Sequence, residues 1–226
     1  MPADEVISRI KDGNKLSDRR LPINLLSLKF FGQVPVAPAI LNNPRFCLIQ
    51  AINSRLEAHQ PQWNMAGKRS YSAEGAKASL LFSLFAQRGC FTGFHVDSPD
   101  GTWVRNMWGL KVWIFPSRRD LADITKFEAQ GDEWIPESIR VIVLEPGDTL
   151  IMPPGEIIPH AVLTLEDSHM VGGMFMDKFR ILESIEKLCW IAKHPQRRLR
   201  QIRRAIGEPT TGPKLLMQRA LWKEMP

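Results

Sequence analysis

The 226-residue chain is 44% hydrophobic and 24% charged with a net charge of +6, an ordinary globular composition that excludes collagen, coiled-coil rods and wholesale disorder. A chain of this size buries roughly 70% of its unfolded surface, which suits one core with a terminal appendage. The longest apolar stretch, residues 78–86, contains serines and falls well short of the ~18 residues a membrane span requires.

The amino terminus, MPADEVISRIKDGNK, is charged throughout and has no apolar segment, so the expectation is a soluble protein that stays inside the cell, nuclear or cytoplasmic. Residues 4–11 predict a short helix. Residues 22–31 (PINLLSLKFF) alternate like a strand, and residues 44–59 carry Phe46, Ile49, Ile52 and Leu56 at helical spacing. From residue 78 the texture changes to short runs bounded by Gly, Pro and Asp: ASLLFSLFA, CFTGFHVD, LKVWIFP, RVIVLEP, DTLIMPP, HAVLTL and HMVGGMFM. Seven such strands predict an all-β sandwich or barrel. After Asp177 the period becomes helical, with Phe179, Leu182, Ile185, Leu188 and Ile191 on one face that is expected to pack back onto the sheet. Pro195 ends that helix, EPTTGP (residues 208–213) is a linker, and KLLMQRALW is helical. The expected division is residues 1–77 as a lead of helices and a strand, 78–177 as the β core, and 178–226 as a helical appendage.

Three cysteines, Cys47, Cys90 and Cys189, are odd in number and widely spaced, so the expectation is reduced, buried thiols. Charge is unevenly distributed. Residues 193–204 hold six cations (Lys193, Arg197, Arg198, Arg200, Arg203, Arg204) and no acid, which accounts for the whole net charge. Residues 120–148 hold eight acids (Asp120, Asp123, Glu128, Asp132, Glu133, Glu137, Glu145, Asp148) against Lys126 and Arg140. The basic run is a solvated helix face or a nucleic-acid contact; the acidic one is a solvated insertion between strands or a rail for a basic peptide.

His95, Asp97 and His160 carry the chemistry. A His-x-Asp pair on a strand projects both side chains to one face, and a histidine from a later strand completes a two-histidine, one-carboxylate set whose open positions suit Fe(II). His160 follows the turn MPPGEIIP and so starts a returning strand. Lys111, in GLKVW, is costly to bury unless an anion meets it. The distal carboxylate of 2-oxoglutarate is such an anion, with the Thr92 hydroxyl as a second donor and the keto-acid end on the metal. His169 reads as structural or exposed, and His59 and His194 as helix-end caps. Trp103, Trp108, Trp113 and Trp134 read as core or pocket wall, Trp113 sharing a face with Lys111.

CFTGFHVD, GLKVW and LEPGDTLIMPPGEIIPHAVLTLEDSHMVGGMFMD together resemble the JmjC-domain family of Fe(II)- and 2-oxoglutarate-dependent oxygenases, most closely the lysine-demethylase branch associated with PHD and F-box proteins. The resemblance runs roughly from Leu21 to Asp177. It implies a mainly β fold with flanking helices around a double-stranded β-helix, a cupin-like jelly roll. It further implies His95, Asp97 and His160 as catalytic iron ligands, Thr92 and Lys111 as 2-oxoglutarate contacts, and a histone-like basic tail as substrate for hydroxylation or demethylation. The chain departs from that branch at Gly93, where it usually has Asp, and at Met174, where it usually has Asn. The chain also lacks the pocket tyrosine, its only tyrosine being Tyr71. The alternatives are a protein or small-molecule hydroxylase on the same fold, and a non-catalytic chromatin- or partner-binding module.

Overall fold

The computed structural model describes residues 3–12, 21–28, 35–52, 54–55, 58, 81–97, 101–118 and 120–193. His59, Tyr71, His194, the arginine run beyond Lys193 and the expected carboxy-terminal helix lie outside the described residues. The strands are β1 (Asn24–Leu28), β2 (Leu81–Ala86), β3 (Phe91–His95), β4 (Gly101–Trp108), β5 (Lys111–Pro116), β6 (Ile139–Leu144), β7 (Thr149–Met152), β8 (His160–Thr164) and β9 (Ser168–Phe175); the helices are α1 (Ala3–Asp12), α2 (Leu121–Gln130) and α3 (Ile181–Lys193).

Two antiparallel sheets face one another, in the orders β1-β2-β9-β4-β7 and β3-β8-β5-β6. From β2 onward each connection except β5 to β6 crosses from one sheet to the other, which is the winding of a double-stranded β-helix. Alternation gives the strands an inner and an outer face, both buried on most of them and the outer one exposed on β6 and β7. Inward, Val104, Trp113, Leu144, Met152, Ile158, Val162 and Met170 fill the barrel. Outward from the four-stranded sheet, Phe94, Ile114 and Ala161 pack against Phe127 of α2 and Trp134. Outward from the five-stranded sheet, Trp103, Val171 and Phe175 pack against Leu41 and Phe46. The Asp120 carboxylate caps α2 by accepting from the Asp123 N–H, and Gly131, at φ 66°, ends it.

The sequence expectations need four corrections. Strand β4 was missed: seven strands were expected after residue 78 and eight are there, because β4 is buried on both faces and its run of Trp, Val, Arg and Asn lacks clean alternation. Residues 120–148 are not a plain insertion, since α2 falls inside them ahead of the expected strand β6. Four of the eight acids there hold local structure: Asp120 caps α2, Asp148 accepts from the Glu145 N–H, Glu137 pairs with Lys126 and Glu128 accepts from Trp190. The thiols differ, with Cys90 buried, Cys47 half-buried and Cys189 exposed.

The fourth correction concerns α3. Phe179, Leu182, Ile185 and Leu188 are between 49% and 71% exposed, while Ser184 and Lys187 are buried. The helix therefore turns its more polar side inward. Trp190 ties it to α2 by stacking on Phe127, centroids 6.5 Å apart, and by donating to Glu128. Its first turn abuts Gly155 in the loop before β8. A Cβ on Gly155 would lie 2.8 Å from the Glu183 Cβ and 3.2 Å from helix backbone, and Gly155 has φ +76°.

Gly155→Ala is expected to destabilise the chain by about 1–3 kcal/mol, from left-handed strain and the clash with α3. Urea denaturation measures it, and an unchanged midpoint would remove the contact between loop and helix. Burial pushes the Cys90 thiol up to about 12, so at neutral pH iodoacetamide should label Cys189 while leaving Cys90 unmodified in the folded protein; peptide mapping reads the order.

Candidate metal centre

The β3–β8 pairing builds the centre. Thr92 pairs with Val162 and His95 with His160, so three steps along β3 are matched by two along β8, and the register shifts between Thr92 and His95. In a regular strand residues three apart face opposite ways; the extra residue puts Thr92 and His95 on the same, inner face. Phe94 is displaced outward into the cluster beneath α2. His160, first residue of β8, is delivered directly opposite His95, and the two rings lie 4.3 Å apart between centroids.

Asp97 is not on the strand, as the His-x-Asp spacing suggested, because β3 ends at His95. It reaches the same point from the segment beyond. Its Oδ1 stands 3.8 Å from His95 Nε2 and 3.9 Å from His160 Nε2, too far for hydrogen bonds. One donor atom from each of the three residues falls within 4.8 Å of the others, the one such group among the described residues.

Backbone carbonyls set both tautomers. His95 Nδ1 lies 2.9 Å from Gly93 O and His160 Nδ1 lies 3.0 Å from Ile158 O. A carbonyl can only accept, so Nδ1 carries the proton in each neutral ring and Nε2 turns a lone pair toward Asp97, the arrangement a divalent ion requires. Trp113 stacks on His160, centroids 5.1 Å apart and planes 23° from parallel. Burial works to raise the Asp97 pKa, but the His160 and His95 rings when protonated, the Thr102 hydroxyl and Lys187 outweigh it, and the carboxyl is held below its ordinary value. Two neutral imidazoles and a carboxylate around one point fit an octahedral ion with open positions, of the non-heme Fe(II) kind.

Deeper in the barrel, Lys111 pairs with Thr164 across β5–β8 and shares the inner face with Trp113. It is 5% exposed, and no carboxylate among the described residues pairs with it. Burial pulls its pKa down to about 8. Thr92 accepts from Asn24 Nδ2 at 3.3 Å, which leaves its own hydroxyl proton to donate. The structure thus gathers all five residues singled out in the sequence on the inner wall or mouth of one barrel. Sequence reasoning missed Thr102 and Lys187: the first sits on the unrecognised β4, and the second lies in a helix whose apolar letters drew attention to the opposite face. His169 is engaged elsewhere, 2.6 Å from the Ser83 hydroxyl. Trp103, Val104 and Asn106 are buried within the 103–106 segment.

Two sheets wound in this order around a two-histidine, one-carboxylate set define a cupin-like double-stranded β-helix. No family model matches the chain. It is 31% identical over 185 residues to KK-1 biosynthesis cluster protein D of Curvularia clavata, covering 80% of this chain and 18% of that protein. It is 30% identical over 196 residues to JmjC domain-containing histone demethylation protein 1 of Cryptococcus neoformans, covering 70% of this chain and 23% of that protein. Among solved structures, a ribosomal oxygenase from Escherichia coli, YcfD, in complex with cobalt and succinic acid, is 24% identical with a TM-score of 0.32, over 42% of this chain and 22% of that one. The chain belongs to the JmjC-domain family, and it spans about a fifth of the length of these two curated relatives.

His95→Ala and Asp97→Ala are each expected to weaken binding of Mn(II), an inert stand-in, by roughly a hundredfold or more with little loss of stability, since both side chains are about a quarter exposed. His160→Ala should lose metal and stability together, because its ring is buried against Trp113 and Phe115. Calorimetry with each variant measures this, and parental affinity in the first two would remove the triad.

Proposed function

We propose that the chain is the catalytic domain of an Fe(II)- and 2-oxoglutarate-dependent oxygenase acting on a protein substrate. The observation that carries this reading is the buried Lys111 cation, without a carboxylate partner among the described residues, on the same inner face as the His95–Asp97–His160 donor set. An ammonium so enclosed needs an anion, and a dicarboxylate keto acid supplies one at each end of the chamber. His95, Asp97 and His160 would hold the iron. Lys111 and Thr92 would anchor the far carboxylate, and the apolar residues between them would exclude water.

When bound, iron with 2-oxoglutarate and dioxygen supplies oxidation of a substrate C–H bond, with the co-substrate leaving as succinate and carbon dioxide. The chain's own part is positional. The carbonyls of Gly93 and Ile158 keep Nε2 of both histidines available, and the exposed side of His95 and Asp97 gives the substrate its approach. A hydroxylated N-methyl group collapses to formaldehyde and an amine, whereas a hydroxylated carbon side chain keeps its oxygen. Similarity to a protein named for histone demethylation supports a basic peptide tail and a nuclear setting. Stable hydroxylation is the second reading, favoured by Val104 and Asn106 in the segment where the lysine-demethylase branch carries its tyrosine. The arginine run from Lys193 to Arg204 supports a nucleic-acid contact beside the peptide. No helix among the described residues is long and apolar enough to cross a membrane.

A protein or peptide library incubated with iron, ascorbate and 2-oxoglutarate separates the readings by mass: a loss of about 14 Da for demethylation, a gain of about 16 Da for hydroxylation. Iron-dependent succinate release without product would leave the substrate unmatched, and no succinate release would overturn the enzyme reading. Lys111→Ala should weaken 2-oxoglutarate by about ten- to a hundredfold, the worth of one charge-assisted contact, while metal binding stays nearly normal. Because burial lowers Lys111 to about 8, its amine is charged below that pH and neutral above. The parent's 2-oxoglutarate affinity should therefore hold at neutral pH and fall above pH 8, by at most about tenfold per unit. Lys111→Ala should lack that alkaline limb, and an identical limb in both would remove the lysine as anchor.

A further inference from the structure

Trp113 stands between the two ends of the chamber. It lies two residues after Lys111 on β5 and so on the same inner face. Its cross-strand partner is Val162, while Lys111 pairs with Thr164. Its ring stacks on His160 at 5.1 Å. The indole is thus in contact with one proposed metal ligand and one alternate position from the buried lysine.

Stacking explains the ring but not the nitrogen. Phe115, next on the same face, stacks on Trp113 with centroids 6.4 Å apart and planes 19° from parallel, so a plain phenyl ring fits this wall. Trp113 is buried, and its Nε1 meets no hydrogen-bond acceptor among the described residues. An indole N–H can only donate and its direction is fixed by the ring, so an enclosed one that meets no acceptor forfeits the bond it makes to water in the unfolded chain. Asn106 Oδ1, Ser168 Oγ and Ser184 Oγ also lack partners among the described residues. The two hydroxyls can rotate, and the Asn106 amide already donates to Gly109 O and Leu144 O. Among these four atoms, only the indole N–H is a donor fixed in direction.

We propose that Trp113 Nε1–H donates to a carboxylate oxygen of the dicarboxylate co-substrate, a third anchor beside Lys111 and Thr92. The inference rests on the 2-oxoglutarate reading above and deepens it. Lys111 supplies charge, which is indifferent to direction; the indole adds a directional bond close to His160. Trp113 then selects for a co-substrate whose oxygen falls between the lysine and the metal ligands.

The test is calorimetric titration of 2-oxoglutarate into the full chain loaded with Zn(II), a diamagnetic stand-in, for the parent and for W113F. The variant is expected to bind 2-oxoglutarate roughly tenfold more weakly, the loss of one buried hydrogen bond to a charged group, with Zn(II) affinity unchanged because an aromatic ring still faces His160. Affinity for 2-oxoglutarate within twofold of the parent overturns the proposal. So does a loss of Zn(II) affinity that accounts for the whole effect, since Trp113 would then act through His160. Should W113F not fold, the parent answers alone: of the indole N–H signals of its seven tryptophans, a slowly exchanging one should move downfield when 2-oxoglutarate is added, and none moving overturns the contact. A parent that binds no 2-oxoglutarate fails the underlying reading; a parent that binds it beside an equally competent W113F fails only the indole contact.

Discussion

One extra residue in β3 governs the centre. Between Thr92 and His95 the strand advances three residues while β8 advances two, and this irregularity decides which side chains enter the barrel. Without it, keeping Thr92 opposite Val162 would put Phe94 opposite His160 and turn His95 outward beneath α2, so Thr92 and His95 could not share the inner face. The same shift lets Thr92 share the inner wall with Lys111. Bulges bend a strand locally, and here the strand ends immediately afterwards, freeing the backbone that carries Asp97 back toward the two imidazoles.

The barrel interior combines an apolar filling with polar atoms placed against solvation. Burying Lys111 lowers its pKa from 10.5 to about 8, a cost to the charged form of about 3 kcal/mol. The fold offsets this through the apolar clusters on both faces of both sheets. Such a distribution is typical of ligand chambers, where stability is concentrated in the walls and a few enclosed polar groups are left for what enters. His160 belongs to both halves, being one of three side chains that could hold a metal ion and part of the aromatic packing with Trp113 and Phe115.

Helix α3 shows how a neighbouring element can serve the centre without contributing to its filling. Its inward side carries Ser184 and Lys187, and Lys187 lies near enough to Asp97 to help hold that carboxyl ionised. Gly155, at the point of closest approach, lets the helix backbone press on the loop that delivers His160. Its apolar residues face outward instead, the reverse of an ordinary surface helix.

Local spacing was enough to determine much of this protein. Short runs bounded by Gly, Pro and Asp marked seven of the strands; His95, Asp97, His160, Thr92 and Lys111 could be singled out as candidates because residue type and short spacing are properties of neighbouring positions. Tertiary structure alone decided three things. It decided that β4 is a strand, since a segment buried on both faces loses the alternation that would reveal it. It chose the inward side of α3, because periodicity says which residues share a face but not what that face meets. And it brought Asp97 to the histidines by a strand end and a bulge rather than by regular alternation, since register is set by long-range pairing across β3 and β8, whose partners are 65 to 72 residues apart along the chain.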